Sequence, residues 1–269
     1  MTDADYRGRV ETMPRSVSQT EQYEKCAWQF YLQRVERVVP RPAAWSAHGT
    51  AFHSAAEALE RSGGSMTLEE AVQAFSDQYS ALINKGLAKE ANTDLWMSAG
   101  PYSGGEDIER RYILGQEQTA RYVEWWNENK PEIWMTPSGD LAIELYFITE
   151  LGGVKVRGYI DLITLDADDN ARVRDLKTGT TKSKFQLETY KTAIEKIYNV
   201  PVQRGDWYFG KTGGLSRPLA LDQVSEYEVG QRFANMDAGV KRGDFPANPG
   251  YDCNFCDVSH ACSVAQIKR

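Results

Sequence analysis

The amino-acid sequence predicts a mixed α/β fold built from three successive regions within one domain of 269 residues. Residues 1–140 carry apolar side chains at helical spacing and contain two capping-box sequences, so this region is predicted to be helical. Residues 141–215 change to short apolar or alternating runs between turn sequences, which are typical of strands. Residues 216–269 combine one helix with a cysteine-rich tail. We therefore expect a central mixed β-sheet that is flanked by helices.

The helical region is predicted to contain four helices, the last ending before Pro131. The first begins at a capping box and places Cys26 about two turns inside the helix. The second is rich in alanine, carries His53 and leaves His48 just before its start. In chain order, the predicted helices cover 18–35, 50–60, 67–89 and 107–129.

The central region is predicted to begin with an antiparallel meander of three strands, over 141–149, 154–165 and 171–176. A glycine pair separates the first two strands, and an acidic run separates the second from the third. A helix over 185–198, a strand over 204–211 and a helix over 223–240 are expected to follow.

Composition restricts the class of protein. No apolar run is long enough to span a bilayer, and the acidic start lacks the features of a signal peptide. Four cysteines are too few for a disulfide scaffold in a chain of this size, so we expect a reducing compartment, the cytoplasm. The net charge of −7 argues against a nonspecific nucleic-acid coat but permits a nuclease with local basic clusters. Candidate clusters contain Arg7, Arg9 and Arg15, then Lys182 and Lys184, then Lys241 and Arg242.

One pattern in the central strands predicts a site for a hard divalent metal. Asp175 and Lys177 are two residues apart on a strand and therefore share a face. Asp161 lies on the neighbouring predicted strand, so the two carboxylates can converge on Mg²⁺ or Mn²⁺, which prefer oxygen ligands. A lysine beside them can orient a water nucleophile or stabilise charge in the transition state. Taken alone, both acids could equally be turn residues at strand ends.

The order of these motifs resembles the RecB-type branch of the PD-(D/E)XK nuclease superfamily. That branch has Gly-x-x-Asp on one strand, Asp-x-Lys on the next, and Gln and Tyr on the following helix. The matching residues are Gly158, Asp161, Asp175, Lys177, Gln186 and Tyr190. The resemblance implies a restriction-endonuclease-like core, a catalytic role for the two acids and Lys177, and a place for Gln186 and Tyr190 near DNA and the metal.

The same branch carries a Gly-x-x-x-His pattern on an upstream helix, matched here by Gly49 and His53. The resemblance implies that His53 is a metal ligand, together with Asp161, Asp175 and the backbone carbonyl of Leu176. Glu144 on the preceding strand fits a further acid of the family more weakly. A solvent-facing glutamate on an edge strand is the alternative for that residue.

The cysteines form a second pattern, with Cys26 near the start and a C-x2-C-x5-C tail made of Cys253, Cys256 and Cys262. Thiolates select zinc or iron–sulfur clusters. The resemblance, which extends to the AddB nuclease domain and to the CRISPR-associated RecB-like iron–sulfur exonucleases with their phage homologues, implies a 4Fe–4S cluster. Two positions depart from the pattern, since Ala27 and Asp257 stand where proline is common. A zinc site of three cysteines and His260 remains the alternative.

The resemblance implies a metal-dependent DNA exonuclease that acts on single strands or DNA ends during recombination, repair or processing. The chain has no P-loop, so a motor would have to be a separate helicase, recombination or CRISPR partner. Two other classes stay open from the sequence. One is a catalytically silent DNA-binding or scaffold protein that keeps the fold, and the other is a zinc-stabilised regulator that binds protein.

Overall fold

The structure of the protein is a computed structural model that describes residue 8 and residues 10–266. Arg7 and Arg9 of the N-terminal basic cluster, like the acidic start of the chain, lie outside these described residues. Within the described part of the chain, no helix combines the length and apolar character needed to cross a membrane.

Helices and strands follow one another in the predicted order. Among the described residues, the principal α-helices are α1 (Val17–Lys25), α2 (Ala27–Arg34), α3 (Ala44–Arg61), α4 (Leu68–Leu87), α5 (Gly104–Asn129), α6 (Lys184–Tyr198) and α7 (Glu226–Arg242). The strands are β1 (Ile143–Leu151), β2 (Val154–Leu165), β3 (Ala171–Lys177), β4 (Val202–Phe209), β5 (Gly214–Leu215) and β6 (Leu219–Ala220).

The strands form one mixed sheet in the order β1-β2-β3-β4-β5, with β6 also paired to β4. Gly152 and Gly153 join β1 to β2 in a tight turn, and both have the positive φ that such a turn requires. β2 and β3 pair antiparallel, as the sequence predicts. β3 and β4 pair parallel, because α6 carries the chain back across the sheet between them. The mixed α/β prediction is therefore confirmed.

Contacts along the chain define two compact units. The first comprises Met1–Arg41, Phe147–Gly158 and Val224–Arg269, and the second comprises Pro42–Tyr146 and Tyr159–Gln223. Each of β1 and β2 contributes residues to both units. The three regions predicted from the sequence cut across these units, and one nuclease domain over residues 1–269 stays a prediction.

The second unit has its core around α3, α4 and α5. Thr67 and Ser103 close capping boxes at the starts of α4 and α5, which satisfy the first backbone N–H groups of both helices. Buried alanines on α3 leave room for the large rings of the other helices, and the core includes Ala51, Ala55, Phe75, Tyr79, Tyr122, Trp125 and Trp126. Small side chains on α3 therefore allow this helix to pack closely.

The first unit has a smaller core in which Phe30 of α2 packs with Met236 and Val240 of α7. Arg15 is fully buried beside it, and its Nε donates to Asp237 Oδ1 at 2.9 Å. The prediction that Arg15 belongs to a basic surface cluster is therefore wrong. A buried guanidinium that is already paired with a carboxylate is a structural element and not a phosphate contact.

Cys26 does not lie inside a helix, contrary to the prediction. It has an extended backbone (φ −160°, ψ 100°) and separates α1 from α2. Its N–H still bonds to the Gln22 carbonyl at the end of α1, while its sulfur accepts the N–H of Asn248 at 3.4 Å. The cap of helix α1 also lies two residues earlier than predicted, since the hydroxyl of Ser16, not Ser18, caps it. Tertiary contacts of the sulfur thus override local helical periodicity.

His48 lies within α3, because the helix begins at Ala44 and not near Thr50. The side chain is buried, with Nδ1 at 3.3 Å from an Arg111 guanidinium nitrogen. Burial, followed by the charge of Arg111, lowers the pKa of His48 to about 4, so its imidazole is neutral. His48 is therefore a packed core residue, and His53 is one and a half turns further along the helix.

Candidate active site

Side chains from α3 and from the first two strands converge on one polar cluster. One ligand atom from each of His53, Glu144 and Asp161 lies within 4.8 Å of the other two, an arrangement that could hold a metal ion. His53 Nδ1 is 3.3 Å from Glu144 Oε1 and 3.7 Å from Asp161 Oδ2. The structure thus brings together three of the residues that the sequence analysis expects to bind metal.

The second nitrogen of the same imidazole contacts strand β3. His53 Nε2 is 3.1 Å from the carbonyl oxygen of Leu176 on β3. The backbone N–H of Leu176 donates to Asp161 Oδ2 at 2.7 Å. The peptide groups of Leu176 therefore fix the orientation of both side chains, while its own side chain is buried on the other face of the sheet.

Glu144 occupies an unusual backbone conformation at the start of β1, with φ of 45°. A glutamate in this left-handed region costs about 1–3 kcal/mol unless the surroundings favour it. Its carboxylate is half-buried against His53 instead of facing solvent. The alternative of a solvent-facing edge glutamate is therefore wrong.

Asp161 is almost fully buried, and its pKa is raised. Burial is the largest cause, and the Glu144 carboxylate adds to it, while the charge of His53 and the Leu176 N–H act in the opposite direction. The carboxylate is thus held close to another acid in a place with little water. Such a pair is stabilised when a cation binds between its members.

Asp175 and Lys177 share one face of β3, as their spacing predicts. Lys177 Nζ is 2.9 Å from Asp175 Oδ2. Burial, and next the charge of Asp161, raise the pKa of Asp175 to about 7 in spite of Lys177. Asp175 does not belong to the three-residue ligand group among the described residues, because its carboxylate faces the ammonium group instead.

The helix that follows holds Lys177 from the other side. Lys177 Nζ donates to Gln186 Oε1 at 3.1 Å, and Gln186 Nε2 donates to the Tyr190 hydroxyl oxygen at 2.6 Å. Gln186 and Tyr190 are one turn apart on α6 and therefore lie on one face. A continuous hydrogen-bonded chain thus runs from Asp175 to Tyr190.

Glu60 is a charged residue at the site that the sequence analysis missed. It lies seven residues after His53 on α3, which places both on one helix face. Glu60 is buried and accepts a hydrogen bond from the Tyr122 hydroxyl. Burial raises its pKa to about 8, and the charges of Asp161 and Glu144 contribute. A glutamate on the apolar face of an alanine-rich helix was the available signal.

The donor set fits a hard divalent cation. Glu60, Glu144, Asp161 and Asp175 supply carboxyl groups, whereas Lys177 and His53 supply the cationic groups of the cluster. Burial and mutual repulsion raise the pKa of three of these acids. Oxygen ligands in such numbers, with one imidazole and one backbone carbonyl, suit Mg²⁺ or Mn²⁺ better than a soft metal.

The four cysteines line a single cavity in the first unit. Cys26 of the N-terminal segment lines it together with Cys253, Cys256 and Cys262 of the C-terminal tail. Backbone N–H groups approach two of the sulfur atoms at 3.4 Å, from Asn248 to Cys26 and from Gly250 to Cys253. The donor set of four thiols around one space fits a thiolate-bound metal or cluster.

Burial and neighbouring charge act on one of these thiols. Burial is the largest cause that raises the pKa of Cys256 to about 11, and Asp257, Cys26 and Cys262 contribute to that rise. His260 is exposed and is not among the described residues that line the cavity. The zinc alternative with three cysteines and this histidine therefore has no support from the geometry.

Comparisons with known proteins show the family to which this chain belongs. A family model described as the PD-(D/E)XK nuclease superfamily matches residues 14–263. The Gene 69 protein of Mycobacterium phage D29 is 40% identical over 260 residues, which cover 93% of this chain and 96% of that protein. The Gene 69 protein of Mycobacterium phage L5 is 36% identical over 279 residues with the same coverage. A crystal structure of SSO0001 is 14% identical, covers 60% of this chain and 76% of that chain, and superposes with a TM-score of 0.34. Because the family match spans nearly the whole sequence, the chain belongs to the PD-(D/E)XK nuclease superfamily.

Proposed function

We propose that this protein is a divalent-metal-dependent deoxyribonuclease that acts as an exonuclease on single-stranded DNA or DNA ends. The observation that carries the proposal is the convergence of His53, Glu144 and Asp161 on one point, beside the Asp175–Lys177 pair. The alternative, a silent protein that keeps the fold, has no use for an acid cluster whose pKa values are raised by burial and by neighbouring carboxylates.

In this proposal the metal ligands are His53, Asp161, Asp175 and the Leu176 carbonyl, with Glu144 as a further acid. A bound Mg²⁺ or Mn²⁺ supplies a Lewis acid that polarises the phosphoryl group and offsets the negative charge of the DNA backbone. The hydrogen bond from the Leu176 N–H keeps Asp161 aimed into the cluster. Asp175, which pairs with Lys177 in the structure, would be a further carboxylate to hold the cation.

Lys177 positions the attacking water in this proposal and stabilises charge on the reacting phosphate. Its ammonium group is partly exposed, so water and DNA can reach it. Gln186 holds Nζ in place, and the Tyr190 hydroxyl in turn orients the Gln186 amide. Gln186 and Tyr190 therefore act on the chemistry through Lys177.

The DNA substrate follows from the family, whereas the preference for ends and the exonuclease activity follow from the resemblance to the RecB-type branch. Local positive charge is modest. Lys182 rests over the Trp207 and Phe209 rings at 5.3 and 5.2 Å, and Lys184 pairs with Glu188 at 3.0 Å. We expect a separate motor protein, from a helicase, recombination or CRISPR system, to present the strand.

We further propose that Cys26, Cys253, Cys256 and Cys262 hold a 4Fe–4S cluster. The shared cavity and the two N–H···S contacts support this, since such contacts are typical of thiolate ligands to clusters. The cluster would join the segment at Cys26 to the C-terminal tail and act as a structural link. A reducing compartment such as the cytoplasm suits these ligands.

The test is a nuclease assay with Mn²⁺ on linear and on circular single-stranded DNA, comparing the unmodified protein with Lys177→Ala. We expect the linear strand to be degraded, the circle to persist and the variant to be inactive. Cleavage of the circular strand would show that the protein is an endonuclease and not an exonuclease. If folded protein with the brown colour of an intact iron–sulfur cluster does not cleave DNA, the DNA-binding or scaffold role is favoured.

A further inference from the structure

Two large aromatic side chains are exposed together on the β-sheet of the second unit. Tyr146 of β1 is 45% exposed and Tyr159 of β2 is 58% exposed. Their ring centroids are 5.2 Å apart and the rings are tilted by 54°. A pair of this kind on an open sheet face contributes little to a core and presents a π surface to solvent.

The pair adjoins the proposed metal centre along both strands. Tyr159 precedes Asp161 by two residues on β2, so both side chains lie on one face with Cα atoms about 7 Å apart. Tyr146 follows Glu144 by two residues on β1. Each exposed ring is therefore two residues along its strand from one of the two acids that face His53.

We propose that the Tyr146–Tyr159 pair is a stacking platform for unpaired bases next to the phosphate that is cleaved. Bases in a duplex have both faces covered by their neighbours, so only a single strand or a frayed end can use such a surface. This inference rests on the proposed nuclease and narrows its substrate to single-stranded DNA or an opened end.

The overall charge of the protein favours such a surface. The chain has a net charge of −7, and the proposed centre is rich in carboxylates, so ionic attraction to DNA is weaker than in a basic protein. Base stacking is insensitive to the charge of the protein. We therefore expect binding of single strands to depend on the two rings and to show a shallow salt dependence.

The test measures binding separately from cleavage. In a Lys177→Ala background with Mn²⁺, a single strand that carries 2-aminopurine near its end is titrated with protein. Tyr146→Ala and Tyr159→Ala should each weaken binding of the strand by about tenfold and abolish the quenching of 2-aminopurine fluorescence. The Phe variants should retain both signals, because the ring remains. Tyr227→Ala, which removes a 75% exposed ring from α7, is the matched control and should behave like the parent.

Cleavage assays of the same tyrosine variants with Lys177 intact distinguish the proposed platform from the proposed nuclease. If the protein cleaves DNA and the Ala variants bind and quench as the parent does, the platform is wrong and the nuclease stands. If no form cleaves DNA but quenching depends on the two rings, the rings bind unpaired bases, whereas the proposed nuclease and the place of the platform beside a cleaved phosphate are both wrong. The supporting result for both is a raised KM for single strands with little change in kcat.

Discussion

His53 Nε2 lies 3.1 Å from the Leu176 carbonyl oxygen, while Nδ1 of the same ring faces the carboxylates of Glu144 and Asp161. A carbonyl oxygen only accepts, so Nε2 carries a hydrogen in this arrangement. Burial lowers the pKa of His53, but Asp161 and Glu144 outweigh it and raise the pKa from 6.5 to about 9. A protonated imidazole thus supplies the positive charge that a bound metal would replace.

The first prediction is that metal binding releases protons. His53 must lose a proton to become a ligand, and Asp175, with a pKa of about 7, must be ionised. Affinity for Mn²⁺ should therefore increase from pH 6 to pH 9, by about tenfold per pH unit for each proton released. Calorimetric titration in two buffers with different ionisation enthalpies measures the protons directly. Identical heats in both buffers would contradict the assignment of His53 as a ligand.

The second prediction concerns the stability of the metal-free protein. Asp175 has its pKa raised from 3.8 to about 7 and His53 from 6.5 to about 9, so the folded state binds more protons than the unfolded state throughout that range. The free energy of unfolding should therefore fall as pH rises from about 4 to 9 in the presence of EDTA. The contribution of His53 is complete below its unfolded pKa and is lost through its folded pKa. Thermal unfolding with EDTA and with saturating Mn²⁺ provides the comparison, and Mn²⁺ should stabilise most at the highest pH.

The third prediction concerns the lysine of the proposed site. Lys177→Ala should lower kcat by at least about 10²–10³-fold, to below detection in the strand-degradation assay, because it removes a preorganised charge beside the reacting phosphate. Gln186→Ala should reduce kcat less, since Lys177 remains and only loses one of its partners. Lys184→Ala is the matched control, because this lysine is exposed and forms only a surface pair with Glu188. Equal activity of Lys177→Ala and Lys184→Ala would refute the site.

The fourth prediction concerns Glu60, whose buried carboxyl accepts from Tyr122. Glu60→Gln keeps an acceptor for that hydroxyl and removes the cost of a buried charge. Since the pKa of Glu60 is raised from 4.5 to about 8, the variant should stabilise the metal-free protein at pH 9 by about 1–3 kcal/mol. At pH 5 the two proteins should unfold alike. Denaturant titrations at both pH values with EDTA measure the two free energies of unfolding. A Glu60→Gln protein that is less stable than the unmodified protein at pH 9 would contradict the prediction.

Much of the fold was predictable because it depends on local patterns. The strands that carry Asp161 and Asp175 are short apolar or alternating runs between turn sequences, and the spacing of Gln186 and Tyr190 places both on one helix face. The break at Cys26 was not predictable, because it depends on a sulfur contact to Asn248 from the far end of the sequence. The buried ion pair of Arg15 with Asp237 is likewise a tertiary contact, and sequence alone cannot separate it from an exposed basic cluster.

Within the site, residue types were easier to predict than their arrangement. The backbone of Glu144, with φ of 45°, follows no local propensity, and its carboxylate contacts His53 on a helix distant in sequence. Asp175 pairs with Lys177 instead of joining the group of His53, Glu144 and Asp161, and this pairing depends on distances that a motif does not contain. Motifs report which groups are present, whereas charge balance in the folded cluster decides how these groups pair.

The last prediction concerns the cysteine cavity. Cys256→Ala should abolish the brown colour, the bound iron and the acid-labile sulfide, because it removes one of the four thiols that line the space. The Tm should fall as well, since the proposed cluster links the break between α1 and α2 to the C-terminal tail. Ser263→Ala in the same tail is the control and should keep both iron and Tm. Because the proposed nuclease centre uses none of these cysteines, any Cys256→Ala protein that stays folded should retain Mn²⁺ binding. A colourless unmodified protein that contains zinc after anaerobic purification would contradict the iron–sulfur assignment and leave the structural link to be carried by zinc.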